Sequence, residues 1–404
     1  MKNKFIILLA LFFSLNVLSS CNDNDGPELT APVDDNDGPE LTAPVEQTLI
    51  MFYPWVSDLN SFFVGNVADM EEAFTKYGTD ATRIFVYMAK SEYQALLFEI
   101  KRSGETYEHI IYEEYTYNNH EWTTENGITQ IISDIKQYSP ANRYSMIIGA
   151  HGLGWINKEA TSRAIDDGKQ LKAHWEYIPG VTRFFGSTSS NGKIEIPTLA
   201  ASIRNNDITM EYILFDACYM GNIETAYMLK GVTNYLIAST SEILSYGIPY
   251  ATVGRHLIGN PNYKEVCDEF YSFYSSYRMP YGALSVINCN KTDELVEVMN
   301  KINSNWTFDT NDRGDIQRLD GYSPVIFFDM GSYVHYFCKD ESLLAEFDQA
   351  MADVVEYTVT TPELYSGNGT YKVNEYSGIT ISDPSTHRLA ADKDKTDWYI
   401  DTHK

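Results

Sequence analysis

From about residue 47 onward, short apolar runs alternate with segments of helical spacing. Thr48–Tyr53 (TLIMFY), Arg83–Met88 (RIFVYM), Tyr144–Ile148, Tyr212–Phe215 and Tyr235–Ala238 have the length and composition of strands buried on both faces. Asn66–Lys76 predicts a helix that stops at Gly78, and Ile128, Ile131, Ile132 and Ile135 form an apolar stripe closed by Pro140. Pro197 opens a further helix carrying Leu199, Ala200 and Ile203, and Asn222–Lys230 predicts one capped by Asn222 and ended by Gly231. Thr292 is placed to cap a helix with Leu295, Val298, Met299 and Ile302 on one face and Asp293 and Glu294 in its first turn. Ala95–Ile100 and Tyr107–Tyr117 predict a hairpin turning at Ser103-Gly104, and Ser377–Ser382 a late strand. Strands separated by single amphipathic helices need crossover connections. The expected fold is therefore α/β, a mostly parallel central sheet with helices on both faces.

The first 46 residues follow a different pattern. Met1–Lys4 is a short basic start and Phe5–Leu18 an apolar run too short to cross a bilayer, which together match a signal peptide. It ends Leu18-Ser19-Ser20-Cys21, which resembles the lipobox of bacterial lipoproteins. That resemblance implies a chain lipidated at Cys21 and held at the outer membrane, on its periplasmic side or at the cell surface. Residues 23–33 and 35–45 are the same eleven-residue sequence, DNDGPELTAPV. A Pro-, Gly- and Asp-rich repeat cannot bury enough apolar surface to fold alone, so residues 21–46 are expected to be a flexible acidic tether. The division is then a signal peptide at 1–20, the tether at 21–46, and one folded unit with a C-terminal extension at 47–404.

Charge narrows the range of partners. Thirty Lys and Arg face 56 Asp and Glu, a formal net charge of −26, which disfavours a nucleic-acid surface or electrostatic docking on anionic lipid. Membrane contact is expected only through Cys21, the partners are expected to be protein or peptide, and the chain is expected to be a monomer. The tether contributes eight of these acids and no base, so most of the excess belongs to the folded unit. After Cys21 the remaining cysteines, Cys218, Cys267, Cys289 and Cys338, have neither CxxC spacing nor the density of a disulfide scaffold.

Two predicted strands end in chemically suggestive residues, and open α/β sheets keep their active groups at such ends. One runs into Gly149-Ala150-His151-Gly152-Leu153-Gly154-Trp155, the other into Asp216-Ala217-Cys218-Tyr219-Met220-Gly221. A thiol needs a neighbouring base to become a thiolate at neutral pH, and imidazole can serve. The amides of a glycine-rich loop can hold a developing oxyanion. The paired motifs HGLGW and ILFDACYMGNIE resemble those of the clostripain-like cysteine peptidases, in the caspase–gingipain–legumain clan. The likeness spans about residues 47–300. It implies a caspase-like α/β/α sandwich and a cysteine endopeptidase with Cys218 as nucleophile and His151 as general base and acid. It also implies Gly152 as an oxyanion donor and Asp216 in a pocket for a P1 Arg or Lys, where a carboxylate suits a guanidinium. The second acid of that pocket is less defined; Glu242 is the only carboxylate after the next strand, within Ala238–Tyr250. Family members mature by cleavage between the His and the Cys. Lys158, Arg163, Lys169, Lys172, Arg183, Lys193 and Arg204 lie there, with Arg163 to Lys172 favoured.

Other chemistries lack their residues. G-x-S-x-G, GxxxxGK[ST] and HExxH are all absent. Asp309–Gly314 (DTNDRG) only loosely resembles a Ca²⁺ loop, without the closing Glu of an EF-hand, so no cofactor or metal is expected and Ca²⁺ is weakly indicated. The tyrosine-rich Tyr107–Trp122 stretch reads as aromatic pairing within a hairpin. The competing reading of the whole is a catalytically silent surface lipoprotein that uses the same fold to bind protein or glycan.

Overall fold

A computed structural model describes residues 43–54, 59–118, 121–157, 173–174, 179–180, 185–186, 193–366 and 369–404. The signal peptide, Cys21 and most of the tether lie outside these residues, as do Lys158, Arg163, Lys169, Lys172 and Arg183.

The apolar runs form the centre of one sheet. Its strands are β1 (Val45–Tyr53), β2 (Thr82–Ser91), β3 (Gln94–Ser103), β4 (Thr106–Thr116), β5 (Ala141–Gly149), β6 (Met210–Asp216), β7 (Thr233–Ala238), β8 (Ala283–Asn288) and β9 (Val355–Thr360). They lie in the order β9-β8-β7-β6-β5-β1-β2-β3-β4. The five strands from β7 to β2 run parallel, and an antiparallel pair flanks them on either side. The strand at Val45 begins two residues before the expected start of the folded unit, its amide donating to Pro140 O.

Alternate residues serve two helical layers, as the pleat requires. Ile50, Phe52, Phe85, Tyr87, Ile148, Phe215 and Leu236 join one core with the isoleucine stripe of α2 (Glu125–Tyr138) and with Leu199, Ala200 and Ile203 of α3 (Ile196–Arg204). The same core takes in α4 (Ile223–Met228), the Leu295–Ile302 face of α6 (Thr292–Asn305), α7 (Met330–Phe337) and α8 (Glu341–Val354), with Trp398 of α9 (Asp397–Thr402). The opposite face meets α1 (Asn60–Tyr77) and α5 (Tyr263–Ser276). There Tyr53 stacks on Phe63 with ring centroids 4.9 Å apart, and Tyr212 meets Tyr263 edge-on. The result is the expected α/β/α sandwich with a central, mostly parallel sheet.

The C-terminal part is integral to this body. β9 completes one sheet edge, and the predicted late strand shrinks to Thr380–Ile381, paired with Phe328–Asp329. On the other edge, Phe98 of β3 packs on His109 of β4 within the hairpin, while two tyrosines reach past β3. Tyr112 and Tyr115 of β4 pack on Phe85 and Tyr87 of β2 rather than on β3.

Candidate active site

Register decides what the strand ends bring together. β5 and β6 are parallel neighbours in which Gly149 pairs with Asp216. His151 and Cys218 each follow that paired position by two residues, so the two loops leave the sheet side by side. Ala150 N–H still reaches Asp216 O at 3.4 Å, and Gly152 lies so near Cys218 O that a Cβ there would overlap it. Both side chains are enclosed, His151 at 4% and Cys218 at 3% exposure.

The cysteine loop is held in an unusual shape. Tyr219 takes a positive φ of 58°, costly for a residue with a side chain and typical of functional loops. Its amide donates to Ser241 O at 2.9 Å, its hydroxyl to Glu242 Oε1 at 2.9 Å, and its ring stacks on Phe327. Asn222 donates to Tyr219 O at 2.7 Å and accepts from Thr225 N–H, which caps α4. That helix begins at Ile223 and has six residues, so its dipole, short and set beyond Cys218, gives the thiol little help. The Cys218 Sγ instead meets one residue of the following loop: Ile243 N–H donates to it at 3.3 Å, and Ile243 O lies at 3.7 Å.

Asp216 closes β6 with a buried carboxylate. It accepts from Asn66 Nδ2 at 3.0 Å, from Ile248 N–H at 3.2 Å and from the Tyr250 hydroxyl at 3.1 Å. Burial outweighs these bonds and pushes its acid up to about 7. Gly247, at φ 77°, lets the loop pass so close that a Cβ would stand 2.6 Å from Asp216 Oδ2. Between α1 and this loop lies a cavity of about 10 Å³, bounded by Phe63, Asn66, Ala150, Asp216, Ile243 and Gly247. That holds about one water, far less than a lysine side chain. The loop thus stands closed over both thiol and cavity. A larger cavity of about 290 Å³, along Trp155, Ile156, Pro197 and Asp397, includes neither His151 nor Cys218.

Glu242 is close in sequence to this wall, but it faces Tyr219 and does not bound the cavity. Of the interval cations that are described, Lys193 is buried, its amine pushed down to about 8, and Arg204 ends α3. Cys267 and Cys289 are buried thiols pushed up to about 12, poor nucleophiles, and Cys338 is buried as well. Asp309 accepts from Asn311 N–H in a polar turn, and no metal-binding group of three or more His, Cys, Asp or Glu occurs among the described residues. No helix among them is long and apolar enough to cross a membrane.

Asn66, Tyr250 and Tyr53 carry no motif and were not foreseen from the sequence. Nor was the C-terminal segment, where Ser382 Oγ accepts from Trp155 Nε1 at 2.9 Å, its amide donates to Glu224, and Thr380 N–H donates to Gly221 O at 3.0 Å.

The fold recurs in known proteins. The chain is 44% identical to a secreted C11 cysteine protease from Bacteroides thetaiotaomicron, iotapain, over 90% of this chain and all of that one, with a TM-score of 0.82. It is 50% identical to a clostripain from Bacteroides thetaiotaomicron ATCC 29148 in complex with the peptide inhibitor BTN-VLTK-AOMK, over 55% of this chain and 99% of that one, with a TM-score of 0.54. An inactive zymogen C11 protease from Parabacteroides distasonis shares the fold at 23% identity, over 90% of this chain and all of that one, with a TM-score of 0.75. No curated protein sequence matches the chain significantly. The profile of the clostripain family matches residues 55–377, and the chain belongs to that family, the C11 cysteine peptidases.

Proposed function

We propose that the protein is a cysteine endopeptidase working through a Cys218–His151 dyad and cleaving after Arg or Lys. The observation that carries this is the in-register exit of both loops from adjacent parallel strands. His151 takes the Cys218 proton and the thiolate attacks the scissile carbonyl, forming a tetrahedral oxyanion within reach of the Gly152 amide. Collapse breaks the C–N bond, the imidazolium protonates the leaving amine, and water hydrolyses the thioester to return the free thiol. Asp216 supplies negative charge for a basic P1 side chain. The peptide letters of the inhibitor bound by the 50% identical clostripain end in K, which favours that reading.

The closed loop fits a chain that needs rearrangement before turnover, and cleavage among Arg163 to Lys172 is the proposed trigger. The relative described as secreted supports a place outside the cytoplasm. Anchoring through Cys21 at the outer membrane is the reading the lipobox supports, and Cys21→Ser is expected to move the protein from the membrane fraction to the soluble one. Recovery of this variant in the membrane fraction would remove that assignment.

The decisive measurement is hydrolysis of fluorogenic peptides by the full chain, intact and nicked between His151 and Cys218. Peptides with Lys or Arg at P1 are expected to be cut, Cys218→Ala to abolish the activity, and His151→Ala to lower it by roughly 10²–10⁴-fold. If neither form of the wild type cuts any member of a diverse library, the silent-lipoprotein reading takes over.

A further inference from the structure

A second carboxylate, outside both sequence motifs, lies behind the residues that line the Asp216 cavity and does not itself bound it. Asp69 follows Asn66 by three residues on α1, and residues so spaced share a helix face. Asn66 donates to Asp216 at 3.0 Å, which fixes that face toward the cavity. From the other side, Tyr246 lies between the cavity-lining residues Ser245 and Gly247 and donates its hydroxyl to the half-buried Asp69 carboxylate at 3.3 Å. Next to them is Tyr53, stacked on the cavity residue Phe63, with a fully buried hydroxyl that has no hydrogen-bond partner. Burial, Asp216 and Asp69 together hold that hydroxyl well above the usual phenol range, which places it in the field of both carboxylates.

Two carboxylates and an unsatisfied hydroxyl close to one narrow slot fit a cation with several N–H donors. Left empty, such a site penalises its own charges. Asp216 is pushed up to about 7 and Asp69 is also raised, in each case chiefly by burial. An ammonium or guanidinium would reverse that penalty and satisfy the hydroxyl at once. Glu242 accepts instead from the Tyr219 hydroxyl in the cysteine loop.

We infer that Asp69 is the second acidic determinant of the P1 pocket, and that the substrate's lysine or arginine side chain replaces the Tyr246 hydroxyl as its partner when the Ile243–Gly247 loop moves off Cys218. The inference rests on the peptidase reading above, and deepens it.

The test compares the full-length wild type, intact and nicked between His151 and Cys218, with Asp69→Asn, Tyr246→Phe and Glu242→Gln nicked in the same way, on peptides that differ only at P1: Lys, Arg, or the neutral arginine isostere citrulline. Asp69→Asn is expected to lower kcat/KM for Lys and Arg by roughly 10- to 100-fold, the range of one charge-assisted hydrogen bond, mostly through KM. Hydrolysis of the citrulline peptide and alkylation of Cys218 should stay at wild-type rates. Glu242→Gln should leave the ratio of basic to neutral substrates unchanged, and Tyr246→Phe, which removes the hydroxyl that the cation displaces, should keep or raise it. Equal loss on all three peptides in Asp69→Asn would mark a structural anchor and overturn the inference, as would an unmoved ratio. A ratio that collapses in Glu242→Gln alone would assign the role to Glu242. A wild type that cuts peptides but prefers citrulline or other neutral P1 groups overturns the basic pocket and this inference while leaving the peptidase reading standing. Full activity in Cys218→Ala overturns the nucleophile assignment instead.

Discussion

Gly152 stands where the two catalytic loops touch, and its missing side chain sets their spacing. A Cβ would overlap the Cys218 carbonyl oxygen and crowd Ala217 and Met220, and the backbone there has little freedom to yield, since Tyr219 is held at a positive φ. Gly152→Ala should therefore push the His151 loop away from the thiol by a fraction of an ångström to an ångström. Misplacement of that size costs on the order of 100-fold in kcat, and the measurement is steady-state hydrolysis alongside a thermal melt. A folded variant with undiminished kcat would mean that the loops do not work at this spacing. The same residue shows what sequence reading can reach. His151, Gly152, Asp216 and Cys218 announce themselves by motif, because chemistry restricts which residues can stand there. Asn66 and Tyr250, which hold the Asp216 carboxylate, come from a helix 150 residues upstream and from the first residue of a short helix 34 residues downstream. They are ordinary polar residues locally, and only the fold gives them a role.

Elements were legible where one periodicity dominates. The isoleucine stripe of α2 and the apolar runs of β1, β5 and β6 are realised almost at their expected bounds, since burial on one or two faces leaves a strong pattern. α1 begins at Asn60, six residues before the expected start, because Phe63 packs on Tyr53 and draws an extra turn onto the sheet. α5 leaves only a weak sequence pattern: Val266, Phe270 and Tyr274 are buried at i, i+4 and i+8, but exposed Tyr271 and partly exposed Phe273 dilute that spacing. β9 shows only half-buried and exposed positions, the weak signature of an edge strand. The tie made by Thr380 and Ser382 could not be read at all. It joins the His151 loop through Trp155 to the cysteine loop through Gly221, across separations of 227 and 159 residues, and its residues are small and polar. No local pattern encodes a contact of that kind. It gives the last fifth of the chain a positioning role that its sequence conceals.

At the scale of the molecule, acidity is both surface property and internal load. Besides Asp216, burial pushes Asp320 and Asp383 up to about 7 and Glu224 up to about 8. Glu224 and Asp383 also repel one another, and an oxygen of each, Glu224 Oε2 and Asp383 Oδ2, is buried without a hydrogen-bond partner. Lys393 offers partial relief, but its ammonium is spent on the backbone oxygens of Asp383 and Ser385. The sign of the linkage follows. In the unfolded chain these acids ionise near pH 4, whereas in the folded chain they keep their protons to pH 7–8. Within that window the native state binds more protons than the unfolded state, so stability is highest at its acidic end and falls as pH rises, levelling off above the folded values. Each group contributes a slope of at most about 1.4 kcal/mol per pH unit. The formal charge of −26 adds self-repulsion in the same direction. Urea unfolding of the full chain at intervals from pH 5 to 8 should show declining stability, and Asp383→Asn should flatten that decline by up to one group's slope. The flattening is the diagnostic part, because removing a surface acid would leave the profile nearly parallel to that of the wild type. An Asp383→Asn profile as steep as the wild type would mean that Asp383 is already ionised in the folded chain, with Lys393 compensating it fully.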